Sequence, residues 1–225
     1  MEEVVFELNF NANAEVKIMC VCVFLFVMLT LTMTEPLVVA TRRAFFQQAG
    51  LITMTTQPLT LPSMSTYKDP LYNVSFDYPT SWVLTTQNLS DRRTLLLFVS
   101  PEDPDSNVFL AYTPMRDDFT SLGSFGSVEE VGLRSILPKG ELQGSDVVSE
   151  MIGIESKKNS YYYDYTIGIP DGPERHLRSV FTMTSSANKK TNAKMLLTFT
   201  VQSKSTVYKT SSANSIIDSF SIKVK

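Results

Sequence analysis

The sequence predicts a β-rich α+β domain, a mainly antiparallel sheet of about six strands with helices and loops on both sides. Short alternating or continuous apolar runs recur along the chain, separated by polar turns rich in Asp, Asn, Ser, Gly and Pro. The turns are short, and short connections favour antiparallel neighbours. Helical signals are confined to one stretch near the middle of the chain and a weaker one near its end.

Each element has its own pattern. Leu71 to Tyr78 alternates, with Tyr72, Val74, Phe76 and Tyr78 on one face and Asn73, Ser75 and Asp77 on the other. That is a half-buried strand. Pro79 ends it, and Trp82 to Leu84 begins another extended piece. Leu95 to Val99 is continuously apolar and reads as a central strand. Pro101 to Ser106 is an acidic turn, and Val108 to Tyr112 is the next strand, closed by Pro114. Gly123 to Leu137 carries the clearest helix. Ser127 and Glu130 have the spacing of a capping box, Val128, Val131 and Ile136 approximate an apolar face, and Pro138 and Gly140 stop it. Four strands follow, Val147 to Ile154, Tyr161 to Ile169, Leu177 to Thr184 and Met195 to Val201. A weaker helix over Thr206 to Ser219 and a final extended stretch, Phe220 to Val224, close the chain.

Residues 1–64 read as a targeting leader and 65–225 as the folded domain. The leader holds a run of 17 uncharged residues, Ile18 to Thr34, between the length of a signal core and that of a membrane span. Behind it, at positions 41–47, Thr-Arg-Arg-Ala-Phe-Phe-Gln has the form of a twin-arginine export signal, with Arg42, Arg43, Phe45 and Phe46 as its key residues. Both cysteines, Cys20 and Cys22, lie in the leader, so the domain has no disulfide or thiolate chemistry. The acidic start, with Glu2, Glu3 and Glu7, is atypical of a plastid transit peptide and makes Met19 an alternative first residue. The net charge of −3 argues against a nucleic-acid binder.

Chemistry-bearing residues are sparse. His176 is the one histidine. It is the sole candidate base for a hydrolase or transferase, an alternative that the absence of a G-x-S-x-G elbow weakens. The pairs Asp103/Asp105 and Asp117/Asp118 could offer oxygen to a hard cation, but neither has the spacing of a calcium loop, and both read as solvated turns. Gly123 to Ser127 leads into a helix start, where Glu129 and Glu130 would repel a phosphate. Tyr161, Tyr163 and Tyr165 share one strand face, and Tyr162 and Asp164 the other. Lys157, Lys158, Lys189 and Lys190 fall in turns, where they could guide the domain onto an acidic partner. Asn73 and Asn88 begin glycosylation sequons, which have meaning only on a secretory route, and there Ile18 to Thr34 would be an anchor.

From Tyr67 to Val224 the chain resembles the PsbP domain of extrinsic thylakoid proteins. The resemblance rests on Tyr78-Pro79-x-x-Trp82, Asn107-Val108, Ser121-Leu122-Gly123-Ser124-Phe125-Gly126-Ser127, Tyr161-Tyr162-Tyr163-x-Tyr165, Arg175-His176 and Ser219-Phe220, in that order. The Ser121 to Ser127 stretch is the specific one. The resemblance implies an α/β/α sandwich around a central, mainly antiparallel sheet, and no enzymatic activity. It implies residence in the chloroplast thylakoid lumen, peripheral on the lumenal face of the membrane. The partners it implies are photosystem II lumenal subunits at the oxygen-evolving complex, whose assembly, stability or calcium retention the protein would support. An accessory or assembly role for another thylakoid complex, photosystem I or NDH, is the alternative. Calcium is the cofactor it implies, with none bound tightly.

The family's metal site is associated with the histidine matching His176 and an acid near the end of the next strand. Here that region reads Thr200-Val201-Gln202-Ser203-Lys204, with no acid. Little chain lies between the leader and Tyr67 to serve as the docking arm of the family's founding member, which favours an accessory PsbP-like protein. The docking surface expected is Thr120 to Ser127, with Phe125 as its aromatic contact and the lysines as its charged rim.

Overall fold

A computed structural model of the chain describes residues 62–89, 93–138, 147–168, 170, 172–186 and 193–222. The apolar segment 18–34, the twin-arginine motif and the lysines Lys189 and Lys190 lie outside the described residues.

The described strands form two sheets. β1 (Met64–Asp69), β2 (Val74–Pro79) and β10 (Ser221–Ile222) make a small antiparallel sheet in the order β1-β2-β10. The large sheet contains β3 (Val83–Asn88), β4 (Thr94–Val99), β5 (Asn107–Pro114), β6 (Val148–Lys157), β7 (Ser160–Gly168), β8 (Arg175–Ser185) and β9 (Lys194–Lys204). Its order is β3-β4-β5-β9-β8-β7-β6, with every pair antiparallel. It is two meanders, β3 to β5 and β6 to β9, joined edge to edge where β5 meets β9. The central strand is therefore β9. The continuously apolar β4 lies one strand in from the edge, and it reads as central because Leu95, Leu96 and Phe98 on its two faces are all buried.

Each face of the large sheet has its own core. In β9, Met195, Leu197, Phe199 and Val201 join Val74, Phe76, Phe98, Leu110 and Ile216 on one face. Leu196 joins Leu122, Val131, Tyr163, Tyr165 and Phe181 on the other. The period-2 alternation of a strand produces that division.

The cover on the two faces corrects the expected α/β/α sandwich of about six strands. The main sheet has seven strands. The first face is covered chiefly by the small sheet, aided by a seven-residue helix, Ala213–Ser219. A helix that short cannot span such a sheet. The β1-β2 hairpin supplies the missing apolar area through Tyr67, Val74 and Phe76. Tyr67 and Phe76 both pack on Phe98, with centroids 5.5 and 5.2 Å away. β1 escapes a sequence reading because its apolar residues, Met64 and Tyr67, are three apart and do not alternate.

The other face is covered by the segment 122–137. It is a 3₁₀ turn, Leu122–Phe125, then an α-helix, Val128–Val131, that widens into a π-turn, Gly132–Ile136. The capping box is present: Ser127 Oγ accepts from Glu130 N–H, and Glu130 Oε2 accepts from Ser127 N–H. The π-turn has a sequence cause. Val131 and Ile136 are five apart, and both face the sheet only if the helix widens there. The Leu137 N–H to Gly132 carbonyl bond, 2.9 Å, closes that turn.

Candidate functional site

Two regions of the surface collect the residues that carry chemistry. The first surrounds His176. At the start of β8 its ring faces the first core and lies flat on Tyr208, with centroids 3.6 Å apart and planes 8° from parallel. Its Nε2 is hydrogen-bonded to Asp164 Oδ1 on the neighbouring strand β7. Arg178 extends the cluster: Nη1 donates to Asn214 Oδ1 at 3.1 Å, and Nε stands 3.8 Å from Asp164 Oδ2. Tyr208 Oη also donates to Asn214 Oδ1, at 3.0 Å. Burial pushes the Tyr208 hydroxyl up to about 12, against the pull of Arg178. Asp164, Arg178 and Ile217 line an adjoining groove of about 340 Å³ together with Tyr162 and Glu155.

In this arrangement His176, the expected metal ligand, already has a partner. Its Nε2 and the Asp164 carboxylate are engaged with each other, and a guanidinium stands where a second cation would be repelled. Among the described residues no group of three or more His, Cys, Asp or Glu gathers. The acidic turn is equally occupied. Arg175 bonds Asp105 Oδ1 through Nε at 2.9 Å and Nη2 at 2.7 Å, and Lys204 Nζ lies 2.8 Å from Asp103 and 3.5 Å from Asp105. Burial pushes the Asp103 carboxyl up, but the Lys204 and Ser106 bonds and the lysine charge outweigh it and hold it below its ordinary value. Asp118 is paired with Arg116 at 3.3 Å. These donor sets do not fit calcium, which takes six to eight oxygen ligands.

The second region is at one end of the large sheet. There the β6-β7 turn, the base of the β8-β9 hairpin and the 120–123 loop surround a cavity of about 460 Å³. Its lining includes Asn73, Ser121, Gly123, Lys158, Tyr161 and Lys194. The fold thus brings together Lys158 and the Thr120 to Ser127 loop, which are more than thirty positions apart in the chain.

The tyrosine cluster explains how the loop is held. Tyr161 Oη donates to the Gly126 carbonyl at 3.3 Å, and Tyr163 Oη to the Val128 carbonyl at 3.1 Å. Gly126, at φ +119°, adopts a backbone conformation that favours glycine. Two sequence features that read as independent are one structural unit.

Other expected contacts have different roles. The Phe125 ring stacks on Phe119 at 4.6 Å and meets Phe181 edge-on at 5.6 Å, so it anchors the loop and is not the open aromatic contact expected. Lys157 is held 2.6 Å from Glu155 and lies over the Tyr162 ring. Its neighbour Lys158 is exposed. Ser121, Gly123 and Ser124 are exposed. Asp164 and Tyr208 gave no sequence signal of a shared site with His176 and Arg178, because only the pairing of β7 with β8 and the fold of the turn after β9 bring them there.

Similarity to known proteins fits this geometry. The PsbP family model matches residues 62–222. The chain belongs to the PsbP family. It is 28% identical to PsbP domain-containing protein 3, chloroplastic, of Arabidopsis thaliana over 122 residues, which are 53% of this chain and 49% of that protein. The chain thus spans about half the length of that curated relative. Among solved structures, cyanobacterial PsbP from Synechocystis sp. PCC 6803 superposes with a TM-score of 0.55 at 20% identity, covering 74% of this chain and 96% of that one. The PsbP fold is common to both. The Ran-binding protein Mog1p of Saccharomyces cerevisiae aligns at a TM-score of 0.38 and 12% identity, covering 71% of this chain and 96% of that one, too distant for any argument.

Proposed function

We propose that this protein is a non-catalytic, extrinsic thylakoid lumenal protein that docks on a photosynthetic membrane complex. Photosystem II at its oxygen-evolving centre is the first candidate partner, with assembly, stability or calcium retention as the service performed. Any calcium retention would be an effect on the complex, because Asp103 and Asp105 of the acidic turn are engaged with lysine and arginine. An accessory role at photosystem I or NDH is the nearest alternative. Support comes from family membership over residues 62–222 and from a chloroplastic relative. The observation that carries the mechanism is the sheet end, where the loop specific to the family is pinned by Tyr161 and Tyr163 beside exposed Lys158.

Docking there would be steered by charge and completed by the loop's exposed backbone. Affinity purification from thylakoids is expected to recover subunits of one photosynthetic complex; recovery of none overturns the reading. Lys158→Glu should weaken recovery at low salt, and Lys157→Glu less so, because Lys157 is already paired. Equal recovery with wild type and both variants would remove the lysines from the interface.

A further inference from the structure

The cavity at the sheet end is lined by more than the loop and the lysine that docking uses. Two lysines, Lys158 and Lys194, line it, and none of its described lining residues is Asp or Glu. Hydroxyls line it from separate elements: Thr120 and Ser121 from the loop, Ser156 from β6 and Ser185 from β8. Leu122 and Met183 add an apolar portion. Its volume, about 460 Å³, is in the range of pockets that take small organic ligands.

The backbone beneath one lysine supplies an independent sign. Lys157 and Ser160 are paired, so Lys158 and Asn159 form a two-residue hairpin turn. Lys158 has φ +52°, in the left-handed region, at the turn position where glycine is usual. A lysine there costs conformational free energy that glycine or asparagine would avoid. Backbone strain of this kind clusters at binding and active sites. Here it sets a lysine at the cavity border.

We propose that this cavity binds a small organic phosphate, its dianionic head held by Lys158, Lys194 and the surrounding hydroxyls and its organic body against Leu122 and Met183. Two cations attract a dianion about twice as strongly as a monoanion at the same distance. Hydroxyl and ammonium donors meet phosphoryl oxygens in charge-assisted hydrogen bonds. The inference goes beyond docking and does not depend on it.

The test is calorimetry on the purified full chain with no thylakoid material present, so that its failure leaves the docking reading untouched. Phenyl phosphate, inorganic phosphate, benzoate and benzyl alcohol are the probes. Phenyl phosphate should bind at least about tenfold tighter than benzoate, inorganic phosphate should bind more weakly than phenyl phosphate, and benzyl alcohol should not bind. Lys158→Asn, which suits the left-handed backbone, and Lys194→Gln should each weaken phenyl phosphate about tenfold without lowering the melting temperature. Amide shifts at Gly123, Lys158 and Ser185 should locate the ligand. No binding of phenyl phosphate, equal binding of benzoate or of inorganic phosphate, or unchanged affinity in both variants would overturn the proposal.

Discussion

Single residues decide how tightly the covering segment sits on the sheet. Gly132 is buried where the helix meets β7, and a Cβ there would stand 2.8 Å from Tyr163 Cε1 and 3.1 Å from Cδ1. Tyr163 cannot move aside easily, because it is buried and its hydroxyl is bonded to the Val128 carbonyl. Gly132→Ala is expected to destabilise the fold by about 1–3 kcal/mol, measured by urea denaturation. Tyr112 makes a different kind of contact. Its buried hydroxyl donates to Asp69 Oδ2 at 2.7 Å, and Asp69 Oδ1 also caps the β1-β2 turn through the Leu71 and Tyr72 amides. Burial, then the Asp69 bond, pushes the Tyr112 hydroxyl well above its usual value, while burial and the Asp69 charge push Tyr67 up to about 12. The unfolded chain therefore loses tyrosine protons first, so this stability is complete below about pH 10 and is lost as pH rises beyond it. Tyr112→Phe should be less stable at pH 7 by about 1 kcal/mol, yet lose stability less steeply above pH 10. Parallel alkaline slopes for variant and wild type would exclude Tyr112 as the source.

At the scale of elements, short local patterns carry most of the legible information. The Ser127–Glu130 capping box was readable because capping is a contact between residues three apart. The start of the helix was misplaced at Gly123 because a 3₁₀ turn and a capped helix share the same turn residues. The bulge in β6 carries no such signature. Between Met151 and Gly153 the register shifts, which exposes Ile152 and lets Met151 and Ile154 both pack on the second core. The acidic turn 101–106 became a clasp only through residues far along the chain, Arg175 and Lys204. The Asp103 carboxyl is depressed in the fold, so its contribution is present above its unfolded value, near pH 4, and is lost as pH falls through the folded value. Asp103→Asn should lower the denaturation midpoint at pH 7, and the gap from wild type should close on acidification below pH 4. A gap that persists at pH 2 would rule out the charge pairing as its cause.

The described residues build one large sheet with a separate core on each face, and β9 serves both. Phe199 lies at the middle of that strand, fully buried, with its ring 4.7 Å from Phe76 and 4.6 Å from Phe220. It ties the large sheet to the small one and to the residue that follows the C-terminal helix. Phe199→Ala should cost about 3–5 kcal/mol and leave a single cooperative transition. Two separated transitions would mean that the faces unfold independently. The chain's order of residues was enough to reveal the strands from Leu71 onward, the capped helix, the PsbP resemblance and the lack of cysteine chemistry in the domain, because each depends on neighbours within a few positions or on a motif in fixed order. The union of β5 with β9, the hairpin that covers one face, the Asp164–His176–Tyr208 cluster and the cavity between Lys158 and Ser121 came only with tertiary structure. Each depends on which strands lie side by side, and strand pairing is set by packing between residues tens of positions apart, for which period and propensity carry no record.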